Sequence, residues 1–295
     1  MSLFKEYKES LKSIEAEDPL DLYFYRIVSF VIVKILYYFP ITPNQISVTA
    51  MVFGVISGYF FSTASASNYL IAGIFYLLYY IMDNCDGQLA RLKKNGTRLG
   101  RIIDGISDYV THLAVFIGLG IGLSAQSGNA LSSWFVVIVS LVSLMFQTAL
   151  VDYYRNRYLE YQFGKATLYG EDLLAFRREY DELKKKGGFY LTRFIYFVYL
   201  KYLKIQALFI SDEPQKHKKF DSEDFLQKNK KMIRLWTYMG TSLPITLLII
   251  AAFFNIIYFY FYALVFILNA YAVILLIIQV KIDKNTMSGK IMENN

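Results

Sequence analysis

The chain has 295 residues, 55% of them hydrophobic and only 19% charged, with a mean hydropathy of +0.34, which is more apolar and less charged than soluble domains average. Its formal net charge of +7 raises nucleic acid as a partner, but in so apolar a chain a basic cytoplasmic face accounts for it and no nucleic acid is expected. The single cysteine, Cys85, rules out an intramolecular disulfide, and the polar first 20 residues hold no apolar signal-peptide core.

Charge is distributed in blocks. Residues 43–82, 109–151 and 236–280 contain no Asp, Glu, Lys or Arg, and each block is long enough for about two spans of roughly 20 apolar residues. Residues 1–21 read as a polar cytoplasmic tail. Residues 22–40 are apolar but carry Arg26 and Lys34; an amphipathic juxtamembrane helix in the interface is preferred to a span, and Pro40 ends it. A crossing helix here would make seven spans and place the N-terminal tail outside.

Thr42 then caps a new helix with Pro43 at its first position, where a missing N–H costs nothing. Spans are expected at about 43–62, 69–86, 100–123, 132–153, 236–254 and 257–280. The turns near 63–68, 124–131 and 253–257 lack Lys and Arg, whereas 91–98, 154–234 and the tail from Lys281 carry nearly all of them. That pattern puts the basic loops and both termini in the cytoplasm. Residues 168–187 alternate charged and apolar positions as a solvated helix does, and the aromatic-rich 189–210 look interfacial. The expected fold is therefore all-α and integral to the membrane: six transmembrane helices preceded by an amphipathic helix. Its units are a tail and interfacial helix (1–42), four spans (43–153), a helical insert (154–235), and two spans with the C-terminal tail (236–295).

The chemistry lies where the second span meets the third. Asp83 and Asp86 are three residues apart, Asp104 and Asp108 four, so each pair shares a helix face. A short basic loop joins the two helices, which makes them antiparallel neighbours and lets four carboxylates converge at the cytoplasmic boundary. Four such acids repel one another, and in a membrane they need a positive partner. Arg91 and Arg101 supply part of it; a divalent cation suits hard carboxylate oxygens better, Mg2+ or Mn2+, with two ions about 3.5–4 Å apart able to grip a pyrophosphate. Gly87 and Gly100 leave room for a base or phosphate near the backbone, and Arg91 can bind phosphate through two N–H groups. Taken singly these features have bland readings: an acid pair is most often a solvated face and a membrane glycine a packing site. Eight specified positions between Asp83 and Asp108 make coincidence a poor account.

Asp83-Asn-Cys-Asp86-Gly87-Gln-Leu-Ala90-Arg91, followed by Gly100, Asp104 and Asp108, resembles the signature of the CDP-alcohol phosphatidyltransferase family, with no departure at its defining positions. The resemblance is specific over 83–108; the six-span layout carries it to about 22–160 and 236–280. The segment Ile41–Ser47 (ITPNQIS) is similar to the bacterial and archaeal branch that makes inositol phospholipids. The insert 154–234 departs from the family. The resemblance implies that Asp83, Asp86 and Asp104 hold metal, and that Asp108 completes that site and is the general base. Asn44, Gly87, Ala90, Arg91, Thr97 and Gly100 would line the CDP site. The acceptor oxygen would attack the β-phosphorus of a CDP-linked donor, expected to be CDP-diacylglycerol, and CMP would leave; inositol or inositol phosphate is the acceptor favoured by analogy, in a homodimer.

The alternatives are a CDP-choline or CDP-ethanolamine phosphotransferase acting on a lipid alcohol, an intramembrane prenyltransferase, and a cation transporter. A prenyltransferase usually carries its acidic motifs far apart, and a transporter needs acids along a midplane path. His112 has an assisting reading and a packing one; Arg155 and Arg157 read either as an acceptor-phosphate site or as positive-inside anchors. Cys85 reads as a small packing residue.

Overall fold

The structure, a computed structural model, describes residues 3–11, 17–163, 168–209 and 221–293, and no strand occurs among them. Helix α1 (Leu3–Ser10) is followed by a π-helical turn (Asp21–Tyr25) that runs into α2 (Arg26–Leu36). The long helices are α3 (Pro43–Ser62), α4 (Ala66–Lys93), α5 (Arg98–Ser127) and α6 (Ala130–Phe163). The insert forms α7 (Leu168–Lys186) and α8 (Tyr190–Phe209). The last part comprises α9 (Ser222–Tyr238), α10 (Ser242–Phe253), α11 (Ile257–Tyr262) and, after a π-helical stretch at Ala263–Ile267, α12 (Leu268–Glu293).

Among the described residues five helical stretches are long and apolar enough to cross a membrane: Pro43–Ser62, Arg98–Ser127, Ala130–Gln162, Ser222–Phe253 and Ile257–Thr286. The expected second span, α4, is not one of them. Its apolar content is diluted by Tyr69, Tyr76, Tyr79 and Tyr80 and by the acids and bases of its last three turns, and those tyrosines are buried inside the protein. Burial against other helices, and not overall hydropathy, seats this helix.

Two boundaries differ from expectation. α6 runs ten residues past the expected end of the fourth span at 153, to Phe163, so Arg155 and Arg157 sit on the same helix as that span. A turn at residues 239–241 interrupts the fifth span and separates α9 from α10. Gly240 falls in that turn, where an added Cβ would collide with the Asp18 carboxylate; the interruption is where the N-terminal segment packs. Start signals fared better. Thr42 caps α3 as read from the sequence, and Gln45 completes a reciprocal box: its N–H donates to the Thr42 hydroxyl at 3.4 Å and its Oε1 accepts from the Thr42 N–H at 2.9 Å.

α3 is the helix on which both α4 and α5 pack most extensively. Its approach to α5 depends on two Gly-x-x-x-Gly runs, Gly54/Gly58 and Gly118/Gly122. A Cβ on Gly58 would lie 2.5 Å from the Ala114 carbonyl oxygen, and one on Gly118 or Gly122 would strike the carbonyls of Gly58 or Phe61. Small residues at this spacing let helix backbones touch, where dispersion rather than the hydrophobic effect holds membrane helices together. α4 and α5 are therefore joined chiefly through α3.

A second cluster ties α6, α9 and α12 through Val151, Met232, Trp236, Ala272 and Leu275. The π-helical stretch before α12 displaces the regular ladder, and Gln147 of α6 donates to the Leu264 carbonyl within it at 2.8 Å and to Asn269 Oδ1 at 2.8 Å. Such buried polar contacts fix the register of two spans that apolar packing alone would leave free to slide.

Candidate active site

The acids converge from α4 and α5. Oxygens of Asp83, Asp104 and Asp108 lie within 4.8 Å of one another. Like charges about 4 Å apart repel by about 4 kcal/mol at the effective dielectric of a protein surface, so three ionised carboxylates at this spacing require a cation. Asp83 Oδ1 is buried and has no hydrogen-bond partner. An oxygen that receives no donor from the protein suits a metal ligand, because a buried acceptor left bare costs free energy. The donor set fits Mg2+ or Mn2+: oxygens only, all from carboxylates.

Asp86, the fourth acid, is outside that triad. It is buried, and its Oδ2 accepts a short hydrogen bond from Ser47 of α3. The carbonyl of the same serine accepts from Ser107 at 3.0 Å, so one residue of α3 links the acid-bearing turns of α4 and α5. Tyr79, one turn before Asp83, donates its hydroxyl to Asp108 Oδ1 at 2.8 Å. Its ring is fully packed, stacked on Tyr76 at 5.5 Å and edge-on to His112 at 6.3 Å. Neither Ser47 nor Tyr79 was singled out from the sequence. The i, i+4 spacing of Tyr79 to Asp83 was available, but tyrosines in an apolar span read as packing or interfacial residues.

The remaining expected residues form two groups. Thr97 caps α5 by accepting from the Gly100 N–H at 2.9 Å. A Cβ on Gly100 would meet Asn44 Oδ1 at 2.9 Å and Thr97 Oγ1 at 3.2 Å, which places Asn44, Thr97 and Gly100 together at the start of α5. On α4, a Cβ on Gly87 would lie 3.3 Å from the Arg91 guanidinium; Ala90 is half-buried beside them. Arg91 Nε donates to the Ser10 carbonyl, and Gln88 donates to the Arg26 carbonyl at 3.0 Å. The N-terminal segment thus covers one side of the motif, a contact that composition could not reveal.

That segment is itself charged and buried. Glu17 pairs with Arg26 at 2.9 Å, and Tyr80 donates to Asp21 at 2.8 Å. Burial pushes Asp18 up to about 6, partly offset by Ser242 and the Leu20 N–H. Burial, then the neighbouring Asp18, push Asp21 up to about 7 against the pull of Arg26 and Tyr80.

His112 Nδ1 bonds the Asp108 carbonyl of its own helix at 2.7 Å. Arg155 pairs with Asp152 at 2.5 Å and Arg157 with Asp283 at 2.8 Å. Cys85 is buried with Sγ against the Ser29 carbonyl at 3.5 Å, a packing position.

The acid triad is drawn from α4 and α5, with Gly87 and Arg91 on the one and Gly100 on the other, and a profile of the CDP-alcohol phosphatidyltransferases matches residues 40–208, over half the chain. The chain belongs to the CDP-alcohol phosphatidyltransferase family. Within it, the human CDP-diacylglycerol–inositol 3-phosphatidyltransferase is 34% identical over 83 residues, 28% of this chain and 37% of that protein. The bifunctional IPC transferase and DIPP synthase of Thermococcus kodakarensis is 37% identical over 68 residues, 23% of this chain and 15% of that protein. The rat inositol enzyme is 32% identical over 83 residues, again 28% of this chain and 37% of that protein. The matched stretches thus span little more than a third, or less, of these relatives.

Proposed function

We propose that the protein transfers a phosphatidyl group from CDP-diacylglycerol to a hydroxyl of a polar acceptor, inositol or inositol phosphate, and releases CMP. The observation that carries this reading is the convergence of Asp83, Asp104 and Asp108 in a chain of this family. The inositol-directed names of the human and rat relatives support the acceptor class. In this reading α4 is a sixth span despite its tyrosines, α2 is the interfacial helix, and the site and both termini face the cytoplasm. The assembly is a homodimer.

Asp83, Asp86, Asp104 and Asp108 would hold Mg2+ or Mn2+, two ions in the favoured reading, which when bound supply charge neutralisation for the pyrophosphate. Asn44, Gly87, Ala90, Arg91, Thr97 and Gly100 surround the CDP half. Arg91 offers paired N–H donors to a phosphate once its contact with Ser10 yields. The acceptor oxygen forms a bond to the β-phosphorus as the bond to the bridging oxygen breaks, and the electron pair leaves on CMP. Asp108 takes the hydroxyl proton, and Tyr79, by donating to its other side, keeps the carboxylate aimed.

The test is CMP release by purified protein supplied with CDP-diacylglycerol and a panel of polar alcohols, followed by mass spectrometry of the lipid. A phosphatidylinositol-type product with an inositol acceptor supports the reading. Turnover of CDP-choline or CDP-ethanolamine onto diacylglycerol, with none from CDP-diacylglycerol, overturns the donor assignment.

A further inference from the structure

The α7–α8 hairpin is clamped to the start of α5. Ile102 of α5 is fully buried against Phe176 of α7 and Tyr196 of α8, with Leu99, Tyr180 and Tyr199 around them. Glu179 bonds Arg98 and accepts the Tyr196 hydroxyl at 2.6 Å, while Arg101 lies over the Phe176 ring at 5.3 Å. One face of α8 is thereby used. The other presents Tyr190, Phe194, Phe197 and Val198 to the outside, with Tyr190 79% and Phe194 63% exposed.

Height relative to the bilayer follows from α5 itself. Thirty residues make a helix about 45 Å long, about 15 Å more than a hydrocarbon core needs. The hairpin covers the face of α5 down to Ile102. One turn further on the same face Ile106 is bare, and Tyr109, Val110 and Leu113 beyond it are exposed too, as lipid-facing residues of a span must be. The hairpin ends where that apolar surface begins. α8 carries Arg193 and Lys201 among its exposed rings, 5.8 Å from Tyr190 and 5.7 Å from Phe197, and no acidic residue occurs between 190 and 209.

We propose that the outer face of α8 seats on the lipid surface, its aromatic rings at the headgroup boundary and its cations toward anionic headgroups, and that this seat holds the hairpin over the first turns of α5. Amphipathic helices with aromatic and basic residues bind in this way, and anionic lipid strengthens the attraction of each basic residue near the surface. The consequence for the protein is that the membrane braces the turn bearing Thr97, Gly100 and Asp104.

The experiment places one nitroxide at Phe194→Cys and, separately, at Phe197→Cys in the full chain. Both native side chains point outward, so their replacement leaves the packed face intact. Cys85 is buried and escapes the label. The protein is reconstituted in discs of phosphatidylcholine with phosphatidylglycerol, and power-saturation spectra are read against oxygen and a water-soluble nickel chelate. A label at Lys185→Cys, on the exposed end of α7, reports water. Oxygen is expected to relax the labels at 194 and 197 more than nickel, with the order reversed at 185. Equal access to nickel at all three sites overturns the proposal. So does a label shielded from both reagents, the signature of a protein partner or a second copy in place of lipid.

Discussion

Asp108 illustrates how much a single residue's surroundings add to its place in a motif. Its Oδ1 is held by Tyr79, a donor packed too tightly to move, so the carboxylate has one orientation. Asp108→Asn is expected to slow CMP release about 10²–10⁴-fold, the range for loss of a general base. Tyr79→Phe keeps the ring and removes only the donor; kcat should fall about 10–100-fold, as for outer partners of metal ligands, with KM for the CDP donor unchanged. A loss confined to thermal stability would instead make Tyr79 a packing residue. Asp18 and Asp21 give a pH dependence with a definite sign. Both carboxyls are raised on folding, to about 6 and about 7, so the folded state binds protons more tightly than the unfolded chain. The stability they contribute is fully present below about pH 4, the unfolded carboxylate range, and is lost as pH rises through about 7. Melting in detergent should therefore shift upward at pH 8, and little at pH 5, in the double variant Asp18→Asn, Asp21→Asn.

At the level of helices, α3 is the part whose importance exceeds its own chemistry. It contributes Asn44 and Ser47 to the site and supplies the glycine face on which α5 lies. Gly118→Val forces the α3 and α5 backbones apart and should cost about 1–3 kcal/mol or more, as overpacking does, read as a lower melting temperature together with lost activity. The α7–α8 hairpin behaves differently, since its anchor is local. Tyr196→Ala empties the junction with Ile102 and Phe176 and should weaken the hairpin by about 3 kcal/mol. Faster tryptic cleavage at Lys184–Lys186, with the remaining helices unaffected, is the expected readout.

Across the molecule, the candidate site residues were easier to pick out than the helices that carry them. The aspartates stood out because charge inside apolar sequence has few explanations, and Thr42 and Pro43 because caps obey local rules. What escaped were properties of contact. α4 falls short as an apolar stretch because its tyrosines lower its hydropathy, and only the assembled structure shows that they are buried. The turn at 239–241 packs against Asp18, more than 200 residues away. The pairing of the two Gly-x-x-x-Gly runs was legible in principle, yet each glycine alone reads as ordinary packing. The bond from Ser47 to Asp86 comes from a helix whose proximity no spacing announces.

The central claim, that the acid cluster carries cation-dependent phosphatidyl transfer, is tested most directly by one titration. Protein stripped of metal with chelator and reconstituted in lipid is given CDP-diacylglycerol and inositol or inositol phosphate, and CMP release is followed as Mg2+ or Mn2+ is added, for the native chain and for Asp104→Asn. The native chain should be silent without metal and without acceptor, and active with both, while Asp104→Asn stays silent or needs far more metal. Acceptor-dependent CMP release at full rate in chelator, or an identical metal titration in Asp104→Asn, would contradict the account.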